Sequence, residues 1–275
     1  MRFCAASQNI KENRSVSRLV ANCLDLMNVL ILAAGYATRL YPLTLNKAKP
    51  LLVIGGKPII EWLVDNLVGS PDLETIYVVT NDKFAADFQA WSQQYQKRHP
   101  ELKFKIVNDG STSDNDKLGA IGDIDFVIAQ ENLSGSSLLI AAGDNLFTDS
   151  LADFVAYAKG SEVTVAVHDV ADTEAIKKYG NITVDAEGII TRFEEKPQNP
   201  HGTLAAIALY YYSPPVLSLL RTYLAAGNNA DQPGRFVQWL YPRKPVKTFQ
   251  IKGKWLDIGS KETLENADRI FASAG

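Results

Sequence analysis

The sequence predicts an α/β protein with a mixed, mostly parallel central sheet flanked by helices, and three observations carry that prediction. The run Val29-Leu30-Ile31-Leu32-Ala33 is apolar without alternation, the pattern of a parallel strand buried on both faces. Up to Asp144, strand-like and helix-like segments alternate, as right-handed βαβ crossovers require. After about residue 160, short strands follow one another with few helical intervals, so the second half is expected to lie over the sheet as a substrate-facing layer.

The first strand breaks at Ala34-Gly35 into a loop carrying Thr38, Arg39, Lys49 and Lys57. A helix is expected from Pro58, with apolar residues at 59, 60, 63, 64, 67 and 68, ending at Gly69-Ser70-Pro71. Thr75–Thr80 is the second strand, and Asn81-Asp82 caps a helix reaching about Lys97. Phe104–Val107 is the third strand, followed by a polar loop, Asn108–Lys117, long enough to be a lid or a binding loop. Helical periodicity returns over Gly119–Gln130, and the buried strand Ser137–Asp144 ends in a carboxylate. A helix over about 150–159 precedes strands at 162–170, 180–184, 189–194 and 203–212, with Asp185–Gly188 as a hairpin turn. Helices at 214–225 and 235–241 flank the Gly- and Asn-rich Gly227–Gly234. Strands at 246–251 and 254–256 lead to a C-terminal helix opened by Gly259-Ser260.

Composition bounds the function. The chain has 275 residues, 46% hydrophobic and 21% charged, an ordinary globular make-up, and one mixed domain over 27–275 is the economical reading. A formal charge of −3 argues against a nucleic-acid partner. No apolar run approaches the ~20 residues that span a bilayer, which argues against a membrane partner. Both cysteines, Cys4 and Cys23, fall in the first 26 residues, making neither a disulfide framework nor a zinc site and fitting a reducing, cytoplasmic setting. Residues 1–26 read as an N-terminal extension outside the core. The leading interpretation is a start assigned too early, since Met27 opens a complete strand. A short amphipathic helix is the second, and an organelle presequence, opposed by Glu12 and Asp25, is the third.

Four constellations could carry chemistry. In the opening loop, backbone N–H groups of a small-residue turn can cradle phosphate oxygens, and Arg39 can grip them bidentately; the bland alternative is a turn with solvated cations. The loop is neither GxGxxG nor GxxxxGK[ST], which disfavours the dinucleotide fold and the P-loop. Gly143-Asp144-Asn145 puts a hard oxygen ligand at a strand's carboxyl end; the alternative, a helix cap, suits Asp149 better. In Trp255-Leu256-Asp257-Ile258-Gly259-Ser260, Ser260 is the better cap and leaves Asp257 free. Two such aspartates suit a metal that keeps some waters and takes its other ligands from phosphates. Arg192–Pro197 ends a strand in Glu195 and Lys196, which strand geometry would point to opposite faces; alone it reads as a charged edge. His99, His168 and His201 are expected at surface or loop positions, with no triad and no zinc spacing.

Together these motifs resemble the sugar nucleotidyltransferases, or nucleotide-sugar pyrophosphorylases, over nearly everything from Met27 onward. The family pattern LAAGxGTRLxPLT…PKPLLPVxGKP stands here as LAAGYATRLYPLT and AKPLLVIGGKP, and it is joined in order by GDN, FEEKP and WLDIGS. The resemblance implies a Rossmann-like, glycosyltransferase-A type fold. It implies reaction of an NTP with a sugar 1-phosphate, giving NDP-sugar and pyrophosphate, with Mg²⁺ as cofactor. Carried over by motif, Arg39 holds the triphosphate, Lys49 neutralises charge between the phosphates, and Lys196 binds the attacking sugar phosphate. Glu195 accepts sugar hydroxyls, and Asp144 and Asp257 hold Mg²⁺. Leu32, Ala33, Ala34, Gly35, Asn108 and Gly119 face the nucleotide along with Asp144, while Gly180 and Ala206 line the sugar pocket.

The chain departs from the family pattern at Ala37 (usually glycine), Ala48 (usually proline), Ala208 (often glycine) and Leu118–Gly122, where relatives read LGTAxA. The glutamine that often reads the base has no obvious counterpart, so Asn108 or Asp109 is expected to stand in; a pyrimidine triphosphate is the expected substrate. The Gly227–Trp239 stretch has the size of an interface between copies or of a pocket rim. The rival readings are a nucleotidyltransferase for a non-sugar acceptor such as phosphocholine, or a non-catalytic NDP-sugar-binding homologue. Retention of Arg39, Asp144, Lys196 and Asp257 disfavours the second.

Overall fold

Strand β1 (Met27–Leu32) opens the chain described by the computed structural model, which covers residues 27–272 except Pro71; the readings of residues 1–26 lie outside the described residues. A loop leads to a two-stranded hairpin, β2 (Val53–Ile54) and β3 (Lys57–Pro58), then α1 (Ile59–Leu67), β4 (Leu73–Thr80), α2 (Ala85–Arg98) and β5 (Phe104–Asn108). Next come α3 (Ala120–Gln130), β6 (Ser137–Ala142), β7 (Asn145–Phe147) and α4 (Ala152–Ala158). The second half runs β8 (Val163–Asp169), β9 (Gly180–Val184), β10 (Ile190–Glu195), β11 (Leu204–Tyr212), α5 (Pro214–Ala225), α6 (Pro233–Leu240), β12 (Lys247–Gln250), β13 (Trp255–Asp257) and α7 (Lys261–Phe271).

Nine strands form one mixed sheet. β1 lies between β4 and β6, parallel to both, and β5 continues the parallel part beyond β4. The remainder is mainly antiparallel and hinges on β11, which pairs with β6 through Leu209–Tyr212 and with β9 through Ala205-Ala206. Its register breaks between Ala206 and Tyr210, where the strand passes from one partner to the other. β1 therefore sits where chain order reverses, with β4 on one side and β6 on the other. Such a switch point opens a crevice at the carboxyl ends of the strands.

The unalternating sequence of β1 is explained by two apolar layers. Val29 and Ile31 pack into one with Leu63 of α1, Phe88 of α2 and Phe154 of α4. Leu30 packs into the other with Ile124 of α3, Leu220 of α5 and Phe236 of α6. A third cluster, Leu40, Ile54, Leu146, Ile258 and Phe271, fastens the C-terminal helix beneath the crevice. Among the described residues, no helix is long and apolar enough to cross a membrane.

Three details differ from the sequence reading. Strands β8–β12 extend the central sheet edge to edge instead of lying over it as a separate layer. The strand before Asp144 stops at Ala142, and the chain turns at 143–144 into β7, which pairs antiparallel with β13. Asp149 does not cap α4; its Oδ1 accepts from the Thr148 hydroxyl, and Ser150 Oγ accepts from Ala152 N at 3.2 Å. Ser260 does cap α7, accepting from Thr263 N at 3.2 Å in a reciprocal capping box.

Phe271 is 2% exposed and meets Trp62 edge-on at 4.7 Å between ring centroids. Phe271→Ala is expected to cost about 3 kcal/mol or more in urea unfolding, the usual loss for deleting a buried aromatic. A loss below about 1 kcal/mol would show that α7 is not anchored by this contact.

Candidate functional site

The crevice at the end of β1 is a cleft of about 420 Å³. Its walls gather Leu32, Ala33, Ala34 and Gly35 from the β1 loop, Lys49, Gly119 from the start of α3, Asp144, Gly180, Glu195, Lys196, Ala206 and Asp257. Of the site residues expected from the sequence, Arg39, Asn108 and Asp109 are absent from these walls. Arg39 is exposed on a single 3₁₀ turn, Thr38–Leu40, just past cleft-lining Ala37. Asn108 is turned away: its amide donates to Asp82 Oδ1 at 2.8 Å, and its Oδ1 accepts from Gly110 N at 2.9 Å.

Pairing of β7 with β13 brings the two aspartates together. Asp257 sits opposite Asn145, and Ile258 N donates to the Asp144 carbonyl at 3.2 Å. Lys49, on the 3₁₀ turn Lys49–Leu51, donates from Nζ to Asp144 Oδ2 at 2.6 Å. Asn145 donates to Asp144 Oδ1 at 3.0 Å and accepts from Trp255 Nε1 at 2.6 Å, so both oxygens of Asp144 are oriented. Asn145 and Trp255 are scaffold residues that the sequence motifs contain without revealing their roles. Burial first, then the charge of Asp144, pushes the Asp257 carboxyl above its ordinary value, against the opposing pull of Lys49, Lys196 and Lys178. The same two carboxylates, after burial itself, push the Tyr179 phenol up to about 12.

The other end of the cleft is built around Glu195. The strand ends at Glu195, and Lys196 adopts a left-handed conformation (φ 50) with its N–H on the Tyr179 carbonyl at 3.0 Å. That turn cancels the strand alternation, and both side chains line the cleft. Burial pushes the Glu195 carboxyl up, opposed by Lys196 and Arg235. The carboxylate is hemmed in at glycines: a Cβ on Gly234 would lie 2.0 Å from Glu195 Oε2, while one on Gly180 would meet the Phe193 ring first, at 2.6 Å, and Glu195 Oε2 at 3.1 Å. Gly234, Pro233 and Asp231 come from the Gly227–Trp239 stretch, which is therefore a cleft rim.

At the α3 end, Gly119 has φ +80, and a Cβ there would meet the Ala230 carbonyl at 2.7 Å; that carbonyl accepts from Ile121 N at 2.7 Å. The polar 108–117 loop folds around Asp116. Its carboxylate takes the N–H groups of Thr112 and Ser113 and both hydroxyls, which hold it well below the usual carboxylate range. Lys117 ties this loop to the rim, 3.2 Å from Asp114 and 3.5 Å from Asp231. Of the histidines, His168 lies in β8 beside Trp255 rather than in a loop, while His99 and His201 pair with Glu101 and Glu194.

Comparison with known proteins gives a consistent picture. A family model described as "Nucleotidyl transferase" matches residues 28–273. The chain is 27% identical over 245 residues to "Bifunctional protein GlmU" of Methanocaldococcus jannaschii, covering 89% of this chain and 54% of that protein. It is 27% identical over 247 residues to the protein of the same name from Methanococcus aeolicus, covering 88% and 54%. The chain thus spans about half the length of these relatives. In fold it is similar to a UDP-glucose pyrophosphorylase solved with UDP-glucose, with a TM-score of 0.75, 24% identity, and 91% and 100% of the two chains covered.

The close approach at Glu195 predicts a coupled pair of substitutions. Gly234→Ala alone should destabilise by about 1–3 kcal/mol, as overpacking does, and by much less in a Glu195→Ala background. Additive effects in chemical unfolding would show that Gly234 is not selected by this contact. A pH effect follows from Asp123, on the first turn of α3. Burial, then Asp109 and Asp231, pushes its carboxyl up to about 8 against Lys117. The folded chain holds this proton more tightly than the unfolded chain, whose aspartates titrate near about 4. The group's contribution therefore falls as pH rises from about 4 through about 8. Asp123→Asn should gain stability over the parent at about pH 9 relative to about pH 5 in urea titrations.

Proposed function

The chain belongs to the nucleotidyl transferase family, and on that premise we propose that it transfers a nucleoside monophosphate from an NTP to a sugar 1-phosphate. A phosphate oxygen of the sugar 1-phosphate attacks the α-phosphorus in line. The new P–O bond forms as the bond to the β-phosphate's bridging oxygen breaks, and pyrophosphate departs with the electron pair. The observation that carries the reading is the single cleft in which Asp144 and Asp257 meet Lys49, Lys178 and Lys196 beside a half-buried Glu195 next to Gly180 and Gly234. Such a reaction needs no protein nucleophile; positioning and charge neutralisation carry it.

In this reading the backbone of Ala33, Ala34 and Gly35 receives the triphosphate at the sheet's carboxyl edge. Lys49, already held by Asp144, faces the phosphates with its charge in place. Arg39 reaches in from outside the wall to the departing pyrophosphate. Lys196 holds the sugar phosphate, and Glu195 accepts hydrogen bonds from the sugar hydroxyls, with Gly180 and Ala206 leaving room for the ring. Asp144 and Asp257 fit a Mg²⁺ ion: they are adjacent, and each other's charge is incompletely relieved by the nearby lysines. Among the described residues no group of three or more His, Cys, Asp or Glu could hold a metal, so the ion would rest on these two carboxylates and complete its shell with phosphate oxygens and water. When bound, Mg²⁺ would supply charge neutralisation at the phosphate oxygens.

The deciding experiment is a pyrophosphate-release screen of four NTPs and dTTP against a panel of sugar 1-phosphates and choline phosphate. Release with a sugar 1-phosphate is expected; release with choline phosphate alone would move the acceptor to another class, and release with none would sink the reading. Asp144→Ala and Asp257→Ala should each lower turnover by about 10²-fold or more without loss of folded signal by circular dichroism. Lys196→Ala should act mainly through the KM for the sugar phosphate; an effect confined to the NTP would reverse its role.

A further inference from the structure

Four lysines line the cleft among the described residues: Lys49, Lys117, Lys178 and Lys196. Two are already engaged by carboxylates, Lys49 by Asp144 and Lys117 by Asp114 and Asp231. The ammonium groups of Lys178 and Lys196 have no hydrogen bond or ion pair among the described residues, and both residues are exposed at the cleft. In the nucleotidyl-transfer reading Lys196 holds the acceptor phosphate, and Lys178 has no role.

Local structure brings Lys178 to the cleft. It ends the 3₁₀ turn Ala175–Lys178, in which the buried Ile176 is the anchor and Lys177 pairs with Glu174 at 2.7 Å. The register of β9 with β10 sets Gly180 opposite Glu195, and the Lys196 N–H donates to the Tyr179 carbonyl at 3.0 Å. Lys178 is thus the next residue beyond a backbone contact made by Lys196 itself. It belongs to the Glu195 end of the cleft, not to the turn that carries Lys49. Both free lysines act on Asp257. Asp172 also feels Lys178, but its carboxylate accepts from the N–H groups of Glu174 and Ala175 at 2.7 and 3.2 Å.

The consequence concerns the acceptor and rests on the nucleotidyl-transfer reading. A phosphate monoester carries two negative charges once its second proton is lost, near about pH 6. One lysine balances one of them. When an oxygen of that phosphate bonds to the α-phosphorus it becomes a bridging oxygen. The sugar's phosphate then keeps a single charge, and the other departs with pyrophosphate. A sugar 1-phosphate is therefore matched by two cations and the phosphate of an NDP-sugar by one. We infer that Lys178 is a second phosphate-binding residue of the acceptor subsite, acting with Lys196 to hold the sugar 1-phosphate as its dianion. Because that second charge is already leaving in the transition state, the contact acts on KM rather than on kcat.

The test is steady-state kinetics of the full chain in Mg²⁺ at about pH 8, where the acceptor is a dianion. Both directions are measured with the most active substrates of the screen: pyrophosphate release from NTP and sugar 1-phosphate, and NTP formation from NDP-sugar and pyrophosphate. Lys178→Ala should raise the KM for the sugar 1-phosphate about tenfold, the lower end of the worth of a charge-assisted hydrogen bond. It should change the KM for the NDP-sugar, and kcat in either direction, by about threefold or less. Lys178→Arg keeps the charge and should return the sugar-phosphate KM to within about threefold of the parent. Equal rises in KM for sugar 1-phosphate and NDP-sugar, a rise confined to the NTP, or an arginine variant as weak as the alanine variant would each overturn the inference. So would an alanine variant indistinguishable from the parent, or a fall in kcat with a higher Mg²⁺ requirement, which would assign Lys178 to Asp257 instead of the phosphate. All of these leave nucleotidyl transfer intact, whereas a parent chain that releases pyrophosphate with no sugar 1-phosphate would sink both.

Discussion

The contact on which the site depends is the meeting of Asp144 and Asp257, made by a three-residue pairing between strands far apart in the chain. Two carboxylates in a half-buried cleft repel, and each is partly stripped of water, so the pair persists only with compensation on all sides. Lys49 supplies a direct ion pair, Lys178 and Lys196 supply field, and Asn145, held by Trp255, occupies the remaining oxygen of Asp144. In the proposed reading, that balance suits groups that bring their own charge of both signs, as a metal–polyphosphate complex does. Lys49 is thus fixed before any ligand arrives, so little reorganisation is left for it on binding.

What holds Glu195 is a different kind of constraint, one of space rather than charge. The carboxylate lies in a recess made by the missing side chains of Gly180 and Gly234, and its backbone N–H donates to Gln238 Oε1 at 3.1 Å. One glycine comes from β9 and the other from the start of α6, so the acidic group is clamped between the sheet and the rim segment. The left-handed turn at Lys196 then sends the neighbouring cation to the same side. A strand that ends one residue earlier than its charge pattern thereby converts an alternating pair into a convergent one.

These features sort by how local their signals are. The unbroken apolar run of β1 and the Ser260 cap are written in a few adjacent residues, and each is found where expected. Strand β7 was invisible because Asn145–Phe147 is too short to show a period, whereas the equally short β13 was expected at 254–256. The conformation of Lys196 was invisible because nothing in Glu-Lys-Pro marks φ > 0 as glycine would. Asp123 was hidden for a third reason: an aspartate in the first turn of a helix reads as a favourable partner of the helix dipole. Only the approach of Asp109 from the preceding loop changes that meaning.

The opening loop shows how a motif can lose residues and keep its shape. Ala48 stands where the family pattern has proline, with φ −60 and ψ 139, the conformation a proline would impose. Ala37 stands where the pattern has glycine and takes φ 48, ψ 41, a left-handed conformation that costs an L-residue about 1–2 kcal/mol. The loop must therefore be held from outside. The buried Thr44 hydroxyl donates to the Ala37 carbonyl at 2.8 Å, Leu40 N donates to the same oxygen at 3.0 Å, and Asn81 at the end of β4 donates to the Ala34 carbonyl at 2.8 Å. Each anchor binds a main-chain oxygen, so what is specified is the path of the backbone past the cleft. In the proposed reaction, where this loop meets phosphates through its own N–H groups, that path is the functional property, and the side chains along it are free to vary wherever the anchors remain.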